Sequence, residues 1–181
     1  MADLSGKTVA ILVDNFFEED EFTGPLKALK DAGARVEVIA AEPEDGKIQA
    51  MKGDVNKSQK FNFDKTLDEA NIDDYDALVL PGGAVNADHL RMQDKARDWV
   101  NSIAEAGKPL AAICHAPWVL ASAGLAKGHK LTSFFTLQDD MRDAGAEWVD
   151  QAVVIDGNII TSRKPDDIPA FNDAIISMMA V

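Results

Sequence analysis

The residues best suited to chemistry are Cys114 and His115, the only cysteine of the chain beside one of its three histidines. They follow the apolar run Leu110-Ala111-Ala112-Ile113 and precede Ala116-Pro117-Trp118. The run reads as a short buried strand, and Trp118 to Ala123 with Gly124 behind it reads as a short helix with a glycine stop. Cys114 then occupies a strand-to-helix elbow, which lifts the sulfur above the sheet edge. The helix's free N–H groups there are expected to favour a thiolate. The plain alternative for a lone cysteine is an inert packing residue. His115 is a natural base, but neighbours on a helix do not face one another, so direct proton transfer between Cys114 and His115 meets a geometric objection. His89 and His129 read as surface or packing residues, and no His/Cys spacing matches a metal site.

The elements that must position this pair follow from apolar runs. Thr8 to Val13 reads as a strand, Phe22 to Ala32 as a helix ending at Gly33, and Arg35 to Ala40 as a second strand parallel to the first. Asp76 to Leu80 is a further strand closing on Pro81-Gly82-Gly83, and Asp94 to Ala106 is a helix before the cysteine strand. Near-continuous apolar strands alternating with amphipathic helices predict an α/β sandwich, a mostly parallel sheet with helices on both faces. Ligands in that architecture sit beyond the carboxyl ends of the strands. Residues 41–60 are polar and predict an excursion such as a hairpin. Asp156-Gly157-Asn158 between β-branched runs predicts another, and Asp166 to Met179 a closing helix.

Three strand ends therefore share one rim: the acidic stretch Glu18-Glu19-Asp20-Glu21, the Gly82-Gly83 turn and Cys114. A carboxyl on that rim can hydrogen-bond the sulfur if burial keeps it protonated. Gly82-Gly83 can bring backbone N–H groups to a developing oxyanion. The acids alone would also suit a solvated helix N-terminus.

Bulk properties set limits. The 181 residues predict one domain, and 46% hydrophobic residues suffice for a sizeable core. A formal charge of −13 opposes stable binding to nucleic acid or anionic membrane. Met1 to Lys7 shows no basic region followed by an apolar core, so no secretory signal is expected and the expected location is cytoplasmic.

Ala112-Ile113-Cys114-His115-Ala116-Pro117, Pro81-Gly82-Gly83, Phe17-Glu18 with Glu21, and Gly145-Ala146-Glu147-Trp148-Val149-Asp150 together resemble the PfpI branch of the ThiJ/PfpI superfamily. The likeness runs from the first strand to Phe171. It implies a flavodoxin-like fold over a single domain of residues 1–181. The nucleophile is placed at Cys114, its supporting glutamate at Glu18 and the adjacent histidine at His115. The backbone N–H groups of Gly83 and His115 are implied as the oxyanion site. A glutamate from a neighbouring subunit completes the triad in the PfpI peptidase, and Asp88 matches that position, one methylene shorter. Phe134 stands where that peptidase has tyrosine.

The resemblance implies no cofactor and a homodimer or higher homo-oligomer. Its activities are those of glyoxalases, of deglycases acting on methylglyoxal adducts of proteins or nucleotides, and of intracellular cysteine peptidases. Thiolate attack on an aldehyde needs fewer parts than peptide cleavage, which favours a dicarbonyl or glycated-adduct substrate. A redox sensor or holding chaperone is the non-enzymatic alternative. Amidotransferase chemistry is disfavoured because no histidine follows His129.

Overall fold

The computed structural model describes residues 2–181, so only Met1 of the N-terminal stretch lies outside it. In chain order the elements begin with strands β1 (Thr8–Val13) and β2 (Phe17–Glu18), helix α1 (Glu19–Asp31) and β3 (Arg35–Ala40). The polar excursion is a hairpin of β4 (Ile48–Lys52) and β5 (Asn56–Phe61), followed by β6 (Lys65–Thr66) and β7 (Ala77–Leu80). Helices α2 (Ala84–Met92) and α3 (Asp94–Glu105) lead to β8 (Leu110–Ile113) and α4 (Pro117–Ser122). The chain closes through β9 (Lys130–Leu131), α5 (Gln138–Asp143), β10 (Glu147–Trp148), β11 (Val153–Asp156), β12 (Ile159–Ser162) and α6 (Ile168–Met179).

The main sheet has the order β11-β12-β8-β7-β1-β3-β6, parallel throughout except for the β11–β12 hairpin. Its central strands are buried on both faces, which is why they read as unbroken apolar runs rather than alternating ones. One face packs under α1 and α6 around Phe22, Leu29, Phe171 and Ile175. The other packs under α3 and α4 around Trp99, Val100, Val119 and Leu120. This is the flavodoxin-like sandwich expected.

Two differences from expectation bear on the site. Helix α1 begins at Glu19, three residues before the expected start, so Glu21 lies inside the first turn. Helix α2 was not anticipated. It starts immediately after Gly83, whose φ of 97° suits glycine alone at low cost. A Cβ there would lie 2.6 Å from Phe16 O and 2.9 Å from Glu18 N. Among the described residues no helix is long and apolar enough to cross a membrane.

Candidate active site

Cys114 follows the last residue of β8 with φ of 65°, a left-handed conformation that costs a non-glycine residue energy and is held by its surroundings. Its N–H donates to Ser162 O at 3.0 Å and its carbonyl accepts from Phe134 N at 2.7 Å. The elbow is therefore clamped between β12 and the segment Thr132-Ser133-Phe134. Because Cys114 is not helical, the objection to a Cys114–His115 contact falls away. Sγ and His115 Nδ1 are 3.2 Å apart.

The imidazole is fixed by aromatic rings. It stacks on Phe134 with centroids 4.7 Å apart and meets Trp118 edge-on at 5.4 Å. Burial holds its pKa below the ordinary histidine value, with the Asp54 charge acting in the opposite sense. His115 is thus a neutral base at neutral pH, its Nδ1 facing the thiol.

The sulfur itself corrects an expectation. Cys114 is 4% exposed, and burial pushes its thiol pKa up rather than down, with the Glu21 and Asp54 carboxylates pushing the same way. The N–H groups of Gly83 and His115 pull it partly back. Helix α4 has six residues and begins three positions beyond the cysteine, so its end does little for a thiolate. Burial and the neighbouring carboxylates thus favour the thiol over the thiolate.

Glu18 is the second correction. Its Oε1 accepts from Gly53 N at 2.9 Å and its Oε2 from Asp54 N at 3.1 Å, so both oxygens fasten the tip of the β4–β5 hairpin. Glu19 fastens the same hairpin through Ser58 Oγ and Gln59 Nε2, each at 2.6 Å. The carboxyl beside the sulfur is Glu21. It is fully buried, and its Oε1 accepts from Gly82 N at 3.0 Å while Oε2 is buried without a hydrogen-bond partner. Burial raises its pKa well above the ordinary glutamate range. The Glu18 and Asp54 charges add to that, and the Gly82 N–H and Cys114 thiol only partly oppose it. Burial favours the protonated form of Glu21, in which it no longer repels a thiolate and can donate towards sulfur.

Glu21 could be found in the sequence from its spacing. Glu21, Pro25 and Leu29 are all buried along α1, an i, i+4, i+8 stripe that carries the glutamate inward. Asp54, also missed, lies at the hairpin tip with Oδ1 accepting from Ala84 N at 2.9 Å and Oδ2 3.9 Å from His115 Nδ1. Asp88 sits exposed on α2, and its expected role belongs to the site of a second chain. Gly83 and His115 bring their N–H groups to the sulfur.

Glu18, Glu21, Gly53, Asp54, Cys114, Phe134 and Pro165 line a cavity of about 150 Å³. At about 30 Å³ per water molecule in the liquid, that is space for roughly five small heavy atoms. Drug-sized ligand sites run to about 300–1,000 Å³.

A buried cysteine at a strand-to-helix elbow on the carboxyl rim of a flavodoxin-like sheet, with an imidazole and a buried carboxyl beside the sulfur, is the arrangement of cysteine-centred α/β proteins. The DJ-1/PfpI family model matches residues 7–178, and the chain belongs to that family. It is 41% identical over 96% of its length to "Protein/nucleic acid deglycase 2" of Escherichia coli, covering 98% of that protein. It is 40% identical over 94% of its length to "Deglycase PfpI" of Pyrococcus furiosus, again covering 98%. Among solved structures it resembles a two-domain protein of Anabaena variabilis with DJ-1/ThiJ/PfpI-like and ferritin-like domains. The TM-score is 0.86 at 37% identity; 94% of this chain is covered, and it spans 47% of that longer protein.

Proposed function

We propose that the chain is a cofactor-independent, cysteine-dependent enzyme of deglycase or glyoxalase type, acting on methylglyoxal or on its adducts with proteins or nucleotides. The observation that carries this is the Cys114–His115 contact at 3.2 Å, with Cys114 and the buried Glu21 carboxyl both lining a cavity of about 150 Å³. Methylglyoxal, with five heavy atoms, is of a size that such a cavity takes. The deglycase relatives support the same class.

In this reading His115 Nδ1 takes the Cys114 proton as the sulfur attacks the aldehyde carbon. The S–C bond forms, the carbonyl π pair moves to oxygen, and the Gly83 and His115 N–H groups face the resulting negative charge. A proton delivered to that oxygen gives a hemithioacetal. Moving a proton from the former aldehyde carbon to its neighbour converts the hemithioacetal to a thioester. Water then releases lactate and returns the thiol, so the sum is methylglyoxal plus water giving lactic acid. With a hemiaminal adduct, the sulfur takes the place of the protonated amine at the same carbon: the S–C bond forms, the C–N bond breaks, the free amine is released and the same hemithioacetal results.

Glu18 acts here by holding the hairpin, and a partner-supplied Asp88 belongs to the peptidase alternative. The exposed Val85 and Met92 beside Asp88 on α2, 40% and 75% exposed, support a homo-oligomeric contact there. A cytoplasmic location completes the proposal.

The test is methylglyoxal consumption with product identification in wild type and Cys114→Ala, run beside a peptide substrate. Cys114-dependent lactate without peptide cleavage is expected. Consumption unchanged by Cys114→Ala overturns the proposal, and peptide cleavage without lactate replaces it with the peptidase reading.

A further inference from the structure

We propose that Asn86 is a positioning residue of the site: its side-chain amide orients the two successive peptide groups whose N–H ends serve Glu21 and the sulfur. This rests on the reading of Cys114 as the reacting atom and of Gly83 N–H as a donor to the charge that develops beside it. Asn86 is fully buried in the first turn of α2. Its Nδ2 donates to Pro81 O at 3.0 Å and to Gly82 O at 2.9 Å, and its Oδ1 accepts from Asp14 N, just past the end of β1, at 2.7 Å. A carbonyl only accepts and a backbone N–H only donates, so these partners fix which way round the amide lies.

The planarity of the peptide group carries the effect to the sulfur. Both groups are trans, so C=O and N–H point in opposite directions and holding the oxygen aims the hydrogen. The group joining Pro81 to Gly82 has its oxygen on Asn86 and its N–H on Glu21 Oε1, each at 3.0 Å. The group joining Gly82 to Gly83 has its oxygen on Asn86 and on Glu18 N, the latter at 3.1 Å, and its N–H turned to the sulfur. Hydrogen bonds to a peptide oxygen also polarise the group and strengthen its N–H as a donor. Two glycines in succession leave the chain few preferences of its own there, so the orientation is imposed from outside.

Packing alone does not account for an amide at this place. Burying a carboxamide costs free energy that a leucine would not incur, and asparagine is the poorer helix former of the two. What offsets the cost is three hydrogen bonds, all to backbone at the rim of the sheet. Glu18 N supports Gly82 O as well, but Asn86 Nδ2 is the donor that the two peptide oxygens share. One side chain thus sets the acid's donor and the sulfur's donor together, while touching neither the acid nor the sulfur itself.

The experiment reads the sulfur without turnover, so its failure is separate from a failure of the deglycase reading. Cys114 is alkylated with iodoacetamide at one fixed pH in wild type, Asn86→Ala and Leu90→Ala. Leu90 is fully buried on the same helix, so its truncation controls for a loosened α2. A misaimed Gly83 N–H supports the thiolate less, and Asn86→Ala is expected to slow alkylation about tenfold, the equivalent of one pKa unit. Leu90→Ala should leave the rate in place. Alkylation of Asn86→Ala at or above the wild-type rate overturns the proposal, as does equal slowing in Leu90→Ala. In wild type, both Asn86 side-chain N–H protons should resist hydrogen exchange, and alkylation of Cys114 should shift the Gly83 amide resonance. Exchange of those protons at the rate of an exposed amide, or a Gly83 resonance indifferent to alkylation, overturns it even if Asn86→Ala fails to fold. Where methylglyoxal is turned over, Asn86→Ala should lower kcat about tenfold at unchanged KM, less than the loss for deleting an oxyanion donor outright.

Discussion

Glu21 and Cys114 face each other across the backbone of Gly82. A Cβ added to that glycine would lie 2.5 Å from Glu21 Oε1, 2.7 Å from Cys114 Cβ and 2.7 Å from Ile113 O. The contact between acid and sulfur therefore exists because residue 82 has no side chain. Gly82→Ala should destabilise the fold by about 1–3 kcal/mol, the range for overpacking a close-fitted site. Turnover should fall with it. Chemical denaturation checks the first effect, and a stable, active variant would contradict the geometry.

Glu21→Gln separates the acid's proton from its shape. The folded-state pKa of Glu21 is raised, so the native state binds this proton more tightly than the unfolded chain. The stability it confers is present below the unfolded glutamate pKa and is lost as pH rises through the folded one. Glutamine, neutral at every pH, should match wild-type stability in acid and exceed it in alkali. Denaturation midpoints on both sides of neutrality read that crossing. Turnover should drop about 100-fold, the low end of what a positioned proton donor contributes.

Phe134 holds the imidazole by stacking. Phe134→Ala should cost up to about tenfold in kcat, matching a stack worth about 0.5–1.5 kcal/mol, while Phe134→Tyr keeps the ring and should stay near wild type. Steady-state kinetics of the two variants decide whether the ring or a hydroxyl matters at this position.

Glu18→Ala should act at the hairpin rather than at the sulfur. The Gly53 and Asp54 amides should lose hydrogen-exchange protection as their acceptor is removed. Alkylation of Cys114 by a small electrophile should persist. Loss of alkylation with unchanged exchange would return Glu18 to the sulfur.

Much of the scaffold was legible because its signals are local. Strands β1, β3, β7 and β8 are continuous apolar runs, and both hairpins carry turn residues at their tips. Helix α2 was not, because its buried face consists of Asn86, Ala87 and Leu90, too narrow and too polar to register as a stripe. Its core asparagine is occupied with the turn, donating to Pro81 O and Gly82 O and accepting from Asp14 N.

The rim location of Cys114 and the nearness of Gly83 followed from strand ends alone. Choosing between Glu18 and Glu21 turns on the stripe of Glu21, Pro25 and Leu29, which marks the inward face of α1 once the helix is extended back beyond Phe22. Asp54 gave no signal, because its place beside Ala84 N depends on how a polar hairpin folds back over a rim far away in sequence. The thiol's raised pKa escaped as well: an elbow motif says where a sulfur sits, and only burial and neighbouring carboxylates say whether it is charged.

The chain has one sulfhydryl, and it lies at the bottom of a small cavity. A sulfenic acid formed there finds no second thiol within the molecule to condense with. Its repair depends on an external reductant able to reach a side chain that is only 4% exposed, so access from outside governs the redox life of the sulfur.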